Sequence, residues 1–111
     1  MLAVIYRSYV KKELEDIYQS SWEIIAKYFI KERGAIGSCL HRTDDGCWLA
    51  YSRWPNKEVR EKSKIYELLN NPTIPANVRN AIKTIKECKD HNKEEFKEIC
   101  FNEFLICSNL S

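Results

Sequence analysis

Apolar residues in the first ten positions fall on both parities, with Leu2, Val4 and Tyr6 on one side and Ala3, Ile5 and Tyr9 on the other. Such a run predicts a strand covered on both faces. From Lys11 the period changes to about 3.6, with Leu14, Ile17, Tyr18, Ile25, Tyr28 and Phe29 along one stripe and acids in the opening turns at Glu13, Glu15 and Asp16. This is the pattern of a long amphipathic helix supported by its dipole and closed before Gly34.

Two further runs, from Gly34 to Thr43 and from Cys47 to Trp54, flank Thr43-Asp44-Asp45-Gly46. A glycine in that place suits the left-handed position of a type I turn followed by a bulge, so the two runs form a β-hairpin. A three-residue loop puts Ile36, Ser38, Leu40 and Arg42 on the same face as Trp48, Ala50, Ser52 and Trp54, and leaves Cys39, His41, Leu49, Tyr51 and Arg53 on the other. Pro55-Asn56 stops the strand, and Val59, Ser63, Tyr66 and Leu69 predict a second helix ending near Asn70. Ile74, Val78, Ala81, Ile82, Ile85 and Cys88 form another helical stripe with Pro75 in its first turn. Phe96, Ile99 and Cys100 suggest one more helical turn, and Phe101 to Leu110 a last strand.

Strand, helix, hairpin, helices, strand is the ferredoxin-like βαββαβ order of an α+β protein, in which right-handed crossovers place the helices on one face of an antiparallel sheet. At 111 residues the chain makes one domain, spanning 1–111. The other sheet face also carries apolar side chains, and a second copy of the chain is its simplest cover, so a homodimer is expected.

Charge narrows the partners. Eighteen Lys and Arg against sixteen Asp and Glu leave a net +2, without the basic footprint that nucleic acid requires. No stretch approaches the ~20 apolar residues of a membrane span. The opening MLAVIYRSYV has no basic leader region or cleavage site, which makes the cytoplasm the expected location. Cys39, Cys47, Cys88, Cys100 and Cys107 show no zinc spacing, and the hairpin register separates Cys39 from Cys47, so all five are expected to be reduced and no metal is expected.

The segment GAIGSCLHRTDDGCWLAYSRWPNKEV, Gly34 to Val59, resembles the hairpin of antibiotic biosynthesis monooxygenase-like proteins of the dimeric α+β barrel superfamily. The resemblance rests on the Gly-x-x-G-x-x-L-H-R element, the aspartate-glycine turn and the Tyr51 and Trp54 pair before Pro55, and it weakens beyond Asn70. It implies a homodimer with a helix/sheet cavity in each subunit. It also implies oxidation of a small aromatic or quinone-like molecule by dioxygen with no cofactor. The alternative is a non-catalytic dimeric ligand-binding or accessory protein on the same scaffold, since fold alone does not choose. Haem-degrading relatives pair an asparagine on the first strand with a haem-ligating histidine after the hairpin. Here Tyr6, Arg7 and Ser8 stand on that strand and no histidine lies between Lys57 and Leu69, so haem is not expected.

Such chemistry needs a dry pocket and a polar group to hold a phenolate, because the substrate carbanion supplies electrons to oxygen. The resemblance implies that Trp54 corresponds to a tryptophan similar to the active-site one of oxygenase members, although an aromatic at a strand end also serves as core. Arg42 suits a bound oxyanion and equally a surface ion pair. Ser38, Trp48 and Ser52 share that hairpin face as candidate binding residues, and Trp22 roofs the cavity or extends the core. His41 is the imidazole within the motif and a candidate base, but its parity opposes the tryptophan face.

Overall fold

A computed structural model describes residues 1–63, 71–90 and 97–101. Strand β1 spans Leu2–Tyr9; after a 3-10 turn at Lys12–Leu14, α1 runs over Glu15–Glu32. β2 (Gly37–Arg42) and β3 (Cys47–Trp54) form the hairpin, followed by α2 (Lys57–Glu61), α3 (Ala76–Cys88) and β4 (Lys97–Phe101). The sheet has the order β2-β3-β1-β4 with every neighbouring pair antiparallel, which is the ferredoxin-like arrangement of an α+β protein.

The hairpin register is the one the turn dictates. Ser38 pairs with Ser52 and Arg42 with Trp48, while Thr43 and Cys47 close the loop through a 2.8 Å backbone hydrogen bond. Gly46 sits at φ +84° with open space around its α-carbon, and Asp45 is tied to the Thr43 hydroxyl. Gly34 also has positive φ, +81°, but a Cβ there would lie 3.1 Å from Val59 Cγ1. It turns the chain out of α1, and the Ala35 N–H returns to the Phe29 carbonyl at 3.1 Å. Gly34→Ala is therefore expected to cost about 1–2 kcal/mol from the left-handed backbone plus a packing penalty, and Gly46→Ala the backbone part alone. Urea midpoints of the two variants check the difference.

The core forms in three patches. Ile25 of α1 packs on Ile74, Val78, Ala81 and Ile82 between the helices. Leu2, Val4, Ala35 and Trp54 fill one end of the sheet's helix-covered face, and Val10, Tyr18, Trp48 and Cys88 the other. On the second face, Ile5, Leu49 and Tyr51 are half-buried, and Cys39, His41 and Arg53 are exposed.

Several expectations are corrected. Residues 12–14 form a 3-10 turn rather than the start of α1, and Ile17 is 49% exposed, outside the buried stripe of Tyr18, Ser21 and Ile25. Lys97–Phe101 is a strand paired to β1 from Ala3↔Phe101 to Arg7↔Lys97, where a helical turn is expected from Phe96, Ile99 and Cys100. Three apolar residues in five positions do not separate the two periods, and β1's open edge decides in favour of a strand. The predicted last strand beyond Phe101 and most of the predicted helix beyond Ser63 lie outside the described residues. Cys39, Cys47 and Cys88 are free thiols.

Candidate functional site

On the helix-covered face, β1 presents Leu2, Val4, Tyr6 and Ser8 opposite Trp54, Ser52, Ala50 and Trp48 of β3. Trp48, Ser52 and Trp54 thus share one face, as the turn predicts, but the two indoles stand six residues apart, roughly 20 Å along an extended strand. Each belongs to its own apolar patch. Between them lie the small side chains of Ala50 and Ser52.

Trp54 is 3% exposed. Its ring meets Phe29 at 5.7 Å between centroids, and its indole N–H donates to Ser52 Oγ at 3.2 Å. Next to this patch, Tyr6 packs on the cluster and its hydroxyl accepts a 2.7 Å hydrogen bond from Arg60 Nη2. Arg60, on α2, is 9% exposed, and a guanidinium so placed is a functional candidate because burying its charge is costly. Asn56 sets the helix that carries it, its side chain accepting from the Val59 N–H at 2.9 Å immediately after Pro55 ends β3.

At the other end, Trp48 is 6% exposed and meets Tyr18 edge-on, with ring centroids 5.4 Å apart. The Ser8 and Tyr18 hydroxyls share a 3.3 Å hydrogen bond. Burial pushes the Tyr18 phenol above its ordinary value of 10.0, opposed by the Ser8 hydrogen bond. A phenol whose folded value is raised stabilises the protein below the unfolded value and loses that contribution as pH climbs through the folded one. Wild-type stability is thus expected to fall above about pH 10 more steeply than that of Tyr18→Phe, read from denaturant midpoints against pH.

The remaining candidates fall elsewhere. Arg42 ends β2 on the surface, its Nε donating to Glu15 Oε2 at 2.6 Å, with the arginine side chain 49% exposed. Exposed pairs of this kind contribute ~0–1 kcal/mol, so Arg42→Leu is expected to move stability by less than about 1 kcal/mol. Ser38 is half-buried on edge strand β2 and donates to the Tyr51 carbonyl at 3.4 Å. Trp22 is half-buried on α1, between Tyr18 and Ile25 in sequence, and His41 is exposed on the sheet's second face. Tyr6, Ser8, Tyr18 and Arg60 are absent from the sequence-derived site. Tyr6 and Ser8 share strand parity with Leu2 and Val4, which was the available signal, whereas nothing local marks Arg60 as buried.

Among the described residues no helix is long and apolar enough to cross a membrane, and no three His, Cys, Asp or Glu side chains gather as a metal would require. No family model and no curated protein matches the chain. Solved structures do. An antibiotic biosynthesis monooxygenase superposes with TM-score 0.68 at 13% identity, covering 94% of this chain and 99% of the other. The cofactor-independent oxygenase SnoaB from Streptomyces nogalater superposes with TM-score 0.71 at 12% identity over 97% of both chains. A conserved protein from Methanosarcina mazei gives 0.69 at 13% identity over 93% and 92%. The chain has the α+β fold of the antibiotic biosynthesis monooxygenases. At these identities the likeness is one of fold.

Proposed function

We propose that the protein is a cofactor-independent monooxygenase of small, planar, ionisable aromatic molecules, acting as a homodimer in the cytoplasm, with its site on the helix-covered sheet face. The observation that carries this reading is the buried Arg60 guanidinium, which donates to the Tyr6 hydroxyl at 2.7 Å beside the Trp54 patch. Its buried position on the helix-covered side favours Arg60 over the exposed Arg42 as the group that holds an anion.

A substrate with an acidic C–H gives its proton to solvent water before the site closes over it and becomes a resonance-stabilised carbanion whose charge rests largely on oxygen. Arg60 holds that oxygen, with Tyr6 fixing the guanidinium, and the apolar walls keep water from competing. The carbanion passes electrons to dioxygen and a C–O bond forms to a peroxide; loss of the remaining proton from that carbon makes the carbonyl and breaks the O–O bond, and the hydroxide released takes up a proton and leaves as water. For anthrone the balance is anthrone plus dioxygen giving anthraquinone plus water. Homodimer formation rests on the second sheet face, where Ile5, Leu49 and Tyr51 are the apolar groups a partner's sheet would cover.

Oxygen uptake with anthrone tests the reading. Wild-type protein is expected to exceed the uncatalysed rate, Arg60→Met to lose on the order of a hundredfold, and Trp54→Phe to weaken turnover while keeping the fold by circular dichroism. A wild-type rate no greater than the blank defeats it.

A further inference from the structure

On the flank of α3, Ala76, Arg79, Asn80 and Lys83 line a hollow of about 210 Å³. Their spacing of three and four residues sets them side by side along the helix. The apolar stripe of α3, with Val78, Ala81 and Ile82, is buried against Ile25 of α1, so the hollow lies outside that core. Arg79 is half-buried, and its Nε is fully buried and meets no hydrogen-bond partner. A donor on a permanently charged group is costly to leave unmet. Among the described residues, the side chains of Arg79, Asn80 and Lys83 form no hydrogen bond or ion pair. Glu87, one turn past Lys83, makes no salt bridge with it, and the first turn of α3 carries no acid. Like charges one turn apart repel, so Arg79 and Lys83 weaken the helix while no described acid neutralises them.

We infer that this hollow binds a phosphate dianion, with Arg79 and Lys83 meeting its charge and the Asn80 amide supplying a further donor. Two cations match a doubly charged group and exceed what one carboxylate needs. The planar guanidinium takes two phosphate oxygens at once, and the ammonium adds a compact point charge. A space of about 210 Å³ falls below the ~300–1,000 Å³ of sites that enclose a whole drug-sized ligand, so the phosphate enters and its carrier stays in solvent. Free phosphate and a small phosphate monoester share this chemistry. The site has no residue in common with the Trp54 patch or the Tyr6–Arg60 pair, and it stands whether or not the chain oxidises aromatic molecules.

Nitrogen-proton correlation spectra of the full chain, titrated at constant ionic strength with inorganic phosphate and separately with glucose 6-phosphate, test the site. Phosphate is expected to move the Arg79 Nε–H and Asn80 side-chain amide signals, assigned through Arg79→Met and Asn80→Ala, ahead of those of other arginines and asparagines. Arg79→Met and Lys83→Met are each expected to weaken phosphate binding about tenfold, and Lys12→Met, on the exposed 3-10 turn, to leave it unchanged. Methionine keeps the apolar stem and Lys83 is exposed, so both variants should fold, as ellipticity checks. Equal binding of the two ligands assigns the site to the phosphate group on either carrier, and binding of inorganic phosphate alone assigns it to the free ion; both support the inference. Displacement of phosphate by an equal concentration of acetate overturns it. So do equal losses in Lys83→Met and Lys12→Met, or an Arg79 signal that neither ligand moves.

Discussion

Trp54→Ala is expected to lower the unfolding free energy by about 3–5 kcal/mol, the usual cost of emptying a large aromatic site in a core. The side chain closes the patch formed with Leu2, Val4 and Ala35, meets the Phe29 ring of α1 at a 60° tilt, and buries its N–H on Ser52. Removing it strips the Phe29 contact between α1 and the sheet at this end and leaves Ser52 Oγ without that donor. Trp54→Phe keeps most of the ring and should cost far less, so the two variants separate the architectural role of Trp54 from its role toward a ligand. Chemical denaturation of both, followed by ellipticity, checks the values.

A second large effect is expected on the opposite face of the sheet. Leu49→Glu together with Tyr51→Glu places two carboxylates where the proposed partner sheet would pack, and burying unpaired charge is prohibitive on the scale of an interface of more than ~1,000 Å². Dissociation should become at least about a hundredfold easier. Sedimentation at micromolar concentration is then expected to show a dimer for the wild type and a 13.1 kDa monomer for the variant. A wild-type monomer would remove the homodimer from the account.

How much of this was readable from residues alone depends on whether the determining interaction is local. The hairpin register was legible because Gly46 fixes the turn and period-two alternation then assigns every side chain to a face. The α3 stripe was legible for the same reason, with Val78, Ala81, Ile82 and Cys88 buried as spaced. Ile17 fits the helical period yet is exposed, since a stripe shows which residues align but not how far along the helix its cover extends. β4 was mistaken because pairing with the distant β1, not its own composition, sets its conformation. The site shows the same division. Parity collected Trp48, Ser52 and Trp54 on one face, but strand length separates the indoles into two patches. The burial of Arg60 against Tyr6 joins residues 54 positions apart, beyond any local signal.

On the proposed function, this chain alone inserts an atom of dioxygen into an ionisable aromatic molecule. The most direct measurement supplies anthrone and isotopically labelled dioxygen to protein purified with chelator and free of flavin, and weighs the product. Anthraquinone carrying one labelled oxygen, formed faster than without protein and strongly dependent on Arg60, is the predicted result. Anthrone bound but unchanged, or a product whose new oxygen comes from water, would contradict it, and binding without turnover would identify a ligand-binding protein on the same fold.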